Sequence, residues 1–571
     1  MRQGVSVLLL GCVAAACGGD RATDNTDSGI SLPASVFKDA AADVGISFEH
    51  TPGATGQFYF PEIMGAGGAV FDYDGDGDLD VLLIQGRDLD SGSEATPLHR
   101  LFRNELDAAG KLRFTDVSAE AGIVTAHYGM GVAIGDVDGD ADPDVYITGF
   151  GNNYLFRNNG NGTFSDVTAA SGTNDPRWST SASFFDMDGD GDLDLYVANY
   201  VRFTLGNNIL CTLRSGQRDY CTPDAYPAHR DSLFRNDGLG RFSDVSVSSG
   251  IASKAGPGLG VLAADFNGDG HNDLYVANDK KANFFWLNNG TGKFSETALM
   301  AGAAYNRAGT PEASMGVTAA DFDGDGDEDL FMTHLSAETN TLYLNNGTGQ
   351  FEDATDRFGL GGESLPYTGF GSAFFDVNND GLLDLFVANG AVLAESSQAG
   401  EPWPYRQKNQ LFVNGGKRFS DASAAAGPAM QVAAVGRGAA FGDVDNDGDV
   451  DVLVTNNSGV ARLLLNEAGN SQPWLRVRLI GSVSVRDPVG ARVAVIGAKS
   501  AKGAALWRRA HRDGSYLSAS DVRVHFGLAG RDDVVAVGVE WPDGRRERWP
   551  LKEINQEITL VAGSGQPWPR D

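Results

Sequence analysis

Carboxylates at alternate positions of a short loop are ligands for a hard cation, and this chain repeats such a loop seven times. Each copy spans nine residues and carries a side-chain oxygen at its first, third, fifth and ninth positions. The first copy sets out Asp72, Asp74, Asp76 and Asp80, the second Asp136, Asp138, Asp140 and Asp144, the third Asp186, Asp188, Asp190 and Asp194. The fourth offers Asp265, Asn267, Asp269 and Asp273, and the fifth Asp321, Asp323, Asp325 and Asp329. The last two offer Asp376, Asn378, Asp380 and Asp384, then Asp443, Asp445, Asp447 and Asp451. Of these 28 positions 26 are Asp.

Calcium takes about six to eight oxygens, and glycine near the middle of each copy lets the loop turn sharply. The seventh residue varies (Asp78, His271, Leu382), as it would where only a backbone carbonyl is used. Asp and Gly also build ordinary turns, so one copy alone would carry little weight. Seven copies carry more, because clustering so many carboxylates without a cation costs folding energy. The expected cofactor is therefore calcium, at up to seven structural sites.

The loop is not an EF-hand, which needs a bidentate Glu at the twelfth position and a helix on each side. Here the twelfth positions are Leu83, Ile147, Val197, Val276, Met332, Val387 and Val454. β-prone runs flank each copy, so each loop joins two strands. A third strand follows with the pattern apolar-aromatic-x-Asn, as in Leu155-Phe-Arg-Asn158, and a fourth with Phe-x-acid, as in Phe164-x-Asp166. Four strands per unit is the blade of a β-propeller. Motif starts lie 64, 50, 79, 56, 55 and 67 residues apart, so insertions differ between units. The seventh unit has its third strand, ending at Asn466, but no Phe-x-acid after it, whereas Phe37-x-Asp39 stands alone before the first unit. The expectation is an all-β chain: a seven-bladed propeller over residues 35–467, its last blade completed by the N-terminal strand so that no sheet edge is left open.

These units resemble FG-GAP/VCBS repeats, the calcium-loop blades also found in integrin α-subunit propellers. Residues 468–571 resemble the ASPIC/UnbV domain through Trp474-Leu-Arg-Val, Gly490-Ala-Arg-Val, Gly514-Ser-Tyr-Leu-Ser, His525-Phe-Gly-Leu and Glu540-Trp-Pro-Asp-Gly. The combination is similar to bacterial relatives of cartilage acidic protein over essentially the whole mature chain. The resemblance implies the propeller, its calcium and a small β-sandwich-like tail domain. It implies little about activity.

The formal charge is −32; residues 468–571 carry 16 Lys+Arg against 11 Asp+Glu, a net +5, which leaves −37 on the rest. Seven calcium ions would still leave the propeller acidic, which argues against nucleic acid as a partner. The basic tail is expected either to dock on the acidic propeller or to meet an anionic surface, unless its charges are simply solvated.

Arg2, an apolar stretch from Val5 to Ala16, and Cys17 read as an export signal over residues 1–17. Ala14-Ala-Ala-Cys17 resembles a bacterial lipobox, which implies a lipidated Cys17; Leu9-Leu-Gly-Cys12 also fits the pattern, and a plain signal peptide is the alternative. The apolar run is shorter than the ~20 residues a spanning helix needs, so the expected membrane link is the lipid anchor alone. Residues 18–34 are small and polar, like a tether. The expected location is the bacterial cell envelope, as an outer-membrane or cell-surface lipoprotein. Cys211 and Cys221 then remain for a disulfide, which an exported location permits.

All seven loops join strand one to strand two and so share one rim. The insertions at 200–230 and 391–408 fall on the opposite rim, as do His127, Tyr128, Arg177, Trp178, His334, Tyr367 and Trp403. Loops on a rigid scaffold commonly carry binding, so that rim is expected to meet an extracellular or envelope protein or glycan. No nucleophile elbow, HExxH or phosphate loop occurs in the sequence. A calcium-stabilised binding or adhesion protein is therefore favoured, with a carbohydrate-active lyase or hydrolase as the alternative.

Overall fold

The computed structural model describes Met1 and residues 32–569, apart from 34, 91–98, 124, 126, 214, 394–404, 483–486, 499–504 and 532. Cys12, Cys17, Trp403 and nearly all of the expected tether lie outside the described residues.

Among the described residues seven four-stranded antiparallel sheets are formed, six of them from consecutive strands of the ring. In blade one, Gly68–Phe71 pairs with Asp80–Leu83, which pairs with Arg100–Asn104, which pairs with Phe114–Asp116. The innermost strands of the others are Tyr128–Gly135, Ser179–Phe185, Gly258–Ala264, Val317–Ala320, Gly369–Phe375 and Gly436–Gly442. Each packs on the next, and the seventh packs on the first, so the sheets close into a ring. Both faces of each blade press on neighbours, which is why these inner strands read as nearly unbroken buried runs.

The orphan N-terminal strand completes blade seven. Phe37 sits opposite Asn466, the register that Phe114 and Asn104 take in blade one and Phe164 and Asn158 take in blade two. The strand-three asparagine explains its own recurrence. In blade two the Asn158 backbone N–H donates to Asp144, the ninth residue of that blade's loop, at 2.7 Å. The Asn158 side-chain amide donates to Tyr73 O in the loop of blade one, also at 2.7 Å. Asn236, Asn288, Asn345 and Asn466 make the same reach back to the preceding blade. The acid of Phe-x-acid has a local task instead. Asp116 accepts the N–H and hydroxyl of Ser118, whose oxygen in turn accepts Leu101 N–H, fastening strand four over strand three.

The tail is a two-sheet sandwich. Val524–Gly527, Trp474–Ile480 and Gln556–Val561 form one sheet; Leu506–Arg509, Arg492–Gly497, Val534–Glu540, Arg546–Pro550 and Gln566–Pro567 form the other. Val477, Val493, Val537, Val539, Phe526 and Trp541 fill the space between. Its loop from Asp513 to Ser520 enters the ring and touches the innermost strand of every blade. Ala519 exchanges hydrogen bonds with blade one through Val70 N and Gly68 O, each 3.1 Å. Leu517 O accepts Val132 N of blade two, and Leu517 N donates to Ser181 Oγ of blade three, both at 3.1 Å. Asp513 accepts Ala263 N of blade four at 2.8 Å, and Ser515 O accepts Val317 N of blade five at 3.0 Å. Ser515 Oγ takes Ser372 N of blade six at 3.2 Å and gives to Ala439 O of blade seven at 2.7 Å. Tyr516 and Leu517 are fully buried among Met64, Met130, Leu259, Met315 and Phe370. The loop thus plugs the axis of the ring, and residues 32–571 form one compact unit.

On the rim away from the acidic loops, the insertion after Tyr200 folds over the ring. Cys211 and Cys221 are joined by a disulfide, with Cα atoms 5.2 Å apart. Among the described residues no helix is long and apolar enough to cross a membrane.

Candidate metal centres

Each acidic loop is a hairpin between strands one and two of its blade, and its backbone first organises its own carboxylates. Asp72 accepts Gly75 N at 2.8 Å and Gly77 N at 3.1 Å, and Asp186, Asp265 and Asp321 repeat the pattern. Residues four and six must turn with positive φ to aim those N–H groups, for example Gly75 at 76° and Gly77 at 96°. Asn379 and Asn446 take position four at 57° and 56°, and Ala141 takes position six at 74°.

The ninth residue is the buried root of the loop. Asp144 is fully buried; one oxygen accepts Val137 N at 2.9 Å and the other Asn158 N. Burial pushes the Asp144, Asp194 and Asp273 carboxyls up to about 8 and Asp329 up to about 9. Protein donors therefore do not balance these groups by themselves.

Side-chain oxygens converge in five of the loops. Asp72, Asp74 and Asp80 come within 4.8 Å of one another, as do Asp136, Asp138 and Asp144; Asp186, Asp188 and Asp194; Asp321, Asp323 and Asp325; and Asp443, Asp445 and Asp451. Oδ1 of Asp138, Asp188 and Asp445 and Oδ2 of Asp329 are buried with no hydrogen-bond partner. An orphaned buried carboxylate oxygen is costly, and several converging on one point suit a hard cation with all-oxygen ligands. Loops four and six differ. There Asn267 and Asn378 turn an amide N–H toward Asp269 and Asp380, at 2.9 and 3.0 Å. Asp76, Asp140 and Asp190 stand outside the three-carboxylate groups at exposed positions, as does the half-buried Asp447; in loop five it is the buried Asp329 that stands outside, with Asp325 taking its place.

The sequence pattern left open where the basic tail would sit. It lies on the loop rim, with arginines aimed at the loops. Arg476 donates to Asp443 and, at 2.7 Å, to Asn446; Arg478 lies 3.5 Å from Asp72. Arg508 reaches Gly381 O at 3.3 Å, Arg523 reaches Gly77 O at 3.2 Å, and Arg492 donates to Gly326 O. Asp487 accepts Asp136 N at 3.2 Å. The Arg476-x-Arg478 alternation, which places both side chains on one face of a strand, was the available signal for this contact.

The opposite rim corrects an expectation. His127, Tyr128, Trp178 and His334 are buried rather than displayed. Trp178 packs on Phe60, Phe150, Tyr200 and Phe203, and His127 on His99 and Tyr154. Arg177 is tied to Asp175 at 2.6 Å and Tyr367 is half-buried. The disulfide-bearing insertion on that rim exposes the apolar Leu205, Ile209 and Leu210 beside polar residues such as Arg202 and Asn207.

Comparison with known proteins agrees with this architecture. A model of the FG-GAP-like repeat matches residues 72–147, 136–197, 215–276, 265–332 and 321–387, and a model of ASPIC and UnbV matches 481–567. Cartilage acidic protein 1 of Mus musculus is 28% identical over 362 residues, covering 60% of this chain and 52% of the mouse protein. The chain thus spans about half the length of the curated relatives it matches. Among solved structures, a lectin from Burkholderia pseudomallei aligns with a TM-score of 0.40 at 13% identity over 71% of this chain and 97% of its own. A rhamnogalacturonan lyase aligns at 0.35 and 14% identity over 70% of this chain and 71% of its own. With its repeats matched over more than half of its length and its tail matched after them, this chain belongs to the FG-GAP-like repeat family and carries an ASPIC and UnbV domain.

Proposed function

We propose that this is a calcium-stabilised binding protein of the bacterial cell envelope, exported and held by a lipid on Cys17, which offers a rigid ring to a protein or glycan partner. The observation that carries the calcium is the set of buried, unpartnered oxygens on Asp138, Asp188, Asp329 and Asp445. When bound, calcium would supply the positive charge these groups lack. Asp136, Asp138 and Asp144, their counterparts in loops one, three and seven, and Asp321, Asp323 and Asp325 in loop five would hold it. Loops four and six would bind more weakly, since each has one carboxylate fewer. Calcium in this reading is structural: it fastens strand one to strand two, and through Asp144 and Asn158 it braces each blade against the one before. Binding then falls to the surfaces that the ring holds still.

Equilibrium dialysis with labelled calcium tests the metal. At least five ions per chain are expected, and Asp138→Asn with Asp144→Asn should remove one. A stoichiometry of zero, or one unchanged by the double substitution, would overturn the reading. Mass spectrometry of the mature N-terminus tests the anchor: a diacylated Cys17 supports it and an unmodified residue refutes it.

A further inference from the structure

A cleft of about 370 Å³ lies between the outer face of the five-stranded tail sheet and the acidic loops of blades three to five. Its floor is set by strand register. Arg492 sits opposite Glu540, and Glu540 opposite Arg546, so the three side chains form a row across three strands. They face outward because they alternate with Val493, Val539 and Glu547, which are buried. Two indoles frame the row. Trp568 lies flat on Gly538, where any side chain would collide with it, and stacks on Trp507 at 5.7 Å and 14°. Arg492 lies over Trp507 at 4.9 Å, and Arg546 over Trp568 at 4.2 Å. On the far wall, loop four contributes His271 and Asn272. Position seven of that loop is the only one of the seven to hold histidine.

The two arginines are not equivalent. Arg492 is engaged by Gly326 O. The Arg546 side chain is 15% exposed, its Nε is buried without a hydrogen-bond partner, and its ion pair with Glu540 spans 4.0 Å. A planar guanidinium pinned on an indole, with donors left over, is built to grip a carboxylate in its fork. Leaving such donors unpaired is costly. The cleft is far larger than a carboxylate and falls within the range of small-molecule sites. Beside Arg546, Glu540 accepts hydrogen bonds, and His271 and Asn272 both donate and accept them, which matches hydroxyl groups.

We infer that this cleft binds an acidic saccharide, a uronate whose carboxylate meets Arg546 and whose hydroxyls meet Glu540, His271 and Asn272. The inference deepens the binding reading above by naming a site and a ligand class, and it rests on that reading. Tryptophan fluorescence of the calcium-loaded full chain, titrated with methyl glucuronoside and with methyl glucoside, tests it. Saturable quenching by the uronoside is expected, with the glucoside weaker by about tenfold or more. Arg546→Gln should bring the uronoside down to the level of the glucoside, and Arg546→Lys should recover only part of the preference, with melting temperatures unchanged. Equal binding of the two sugars, no saturation, or an Arg546→Gln variant that keeps the preference would overturn the inference. So would acetate competing as well as the uronoside, which would leave only an anion site. Calcium stoichiometry in the same samples separates the two claims: a chain that holds calcium and ignores the uronoside refutes the cleft alone, and a chain that holds no calcium refutes the metal reading.

Discussion

The side-chain amide of Asn104 donates to the carbonyl oxygen of Val444 at 2.8 Å, tying the third strand of blade one to the acidic loop of blade seven. The same amide also reaches Leu79 O at 3.1 Å, and the Asn104 backbone N–H bonds Asp80. One buried residue thus joins first blade to last and fixes its own loop.

Asn104→Ala should therefore destabilise the chain by about 2–3 kcal/mol, because it strands two buried carbonyls and leaves a small cavity. Asn159→Ala, at an exposed turn one residue beyond Asn158, should change stability by about 0.5 kcal/mol or less. Urea unfolding of both variants in excess calcium checks the contrast.

Ala141 is the one non-glycine residue at position six of the seven loops, and its φ is 74°. A Cβ in the left-handed region costs roughly 1–2 kcal/mol, partly offset by the extra unfolded-state entropy of glycine. Ala141→Gly should stabilise the chain by about 0.5–1 kcal/mol, read as a higher urea midpoint at unchanged m-value.

The plug should be indispensable to the ring. Tyr516 is fully buried on the axis, its ring 4.8 Å from Phe370 and its hydroxyl bonded to Met64 O at 3.2 Å. Tyr516→Ala should cost about 3–5 kcal/mol and raise hydrogen exchange along the inner strands of all seven blades. An effect confined to the tail would show that the loop is a passive guest.

Acid should unfold the chain through its buried histidines. Burial lowers His50, His99 and His334 to about 3, against an ordinary 6.5. The unfolded chain takes up these protons first. The stability contributed is thus fully present above 6.5 and is lost as pH falls from 6.5 toward 3, at about 1.4 kcal/mol per pH unit for each group. His99→Gln should flatten the slope of stability against pH between 6.5 and 5 by about one proton, measured in excess calcium so that the loop carboxylates stay engaged.

The local rules of this fold were legible because each is repeated. The nine-residue loop, apolar-aromatic-x-Asn and Phe-x-acid each mark one strand junction, and the stray Phe37-x-Asp39 could be assigned because the last blade lacked its match. The plug was not legible. Gly514-Ser-Tyr-Leu-Ser has the composition of any surface turn, and only docking of the whole tail carries Tyr516 onto the axis. The opposite rim misled for a related reason. His127 and Trp178 lie next to loops in sequence, but the segment around Phe60 and the insertion around Tyr200 and Phe203 close over Trp178, and His99 and Tyr154 pack on His127. The seven loops also looked more alike than they are, since Asn267 and Asn378 present an N–H where their counterparts present a carboxylate.

Thermal unfolding with and without free calcium is the most direct test of the central claim that the acidic loops hold structural cations. A site a hundredfold over its dissociation constant adds about 2.7 kcal/mol, so five occupied sites should raise the melting temperature of a chain this long by roughly 10 °C. Chelator should reverse the gain, magnesium should replace it poorly, and Asp138→Asn with Asp144→Asn should reduce it. A melting temperature indifferent to calcium, at pH 7 and with the chain verified free of tightly bound metal, would contradict the account.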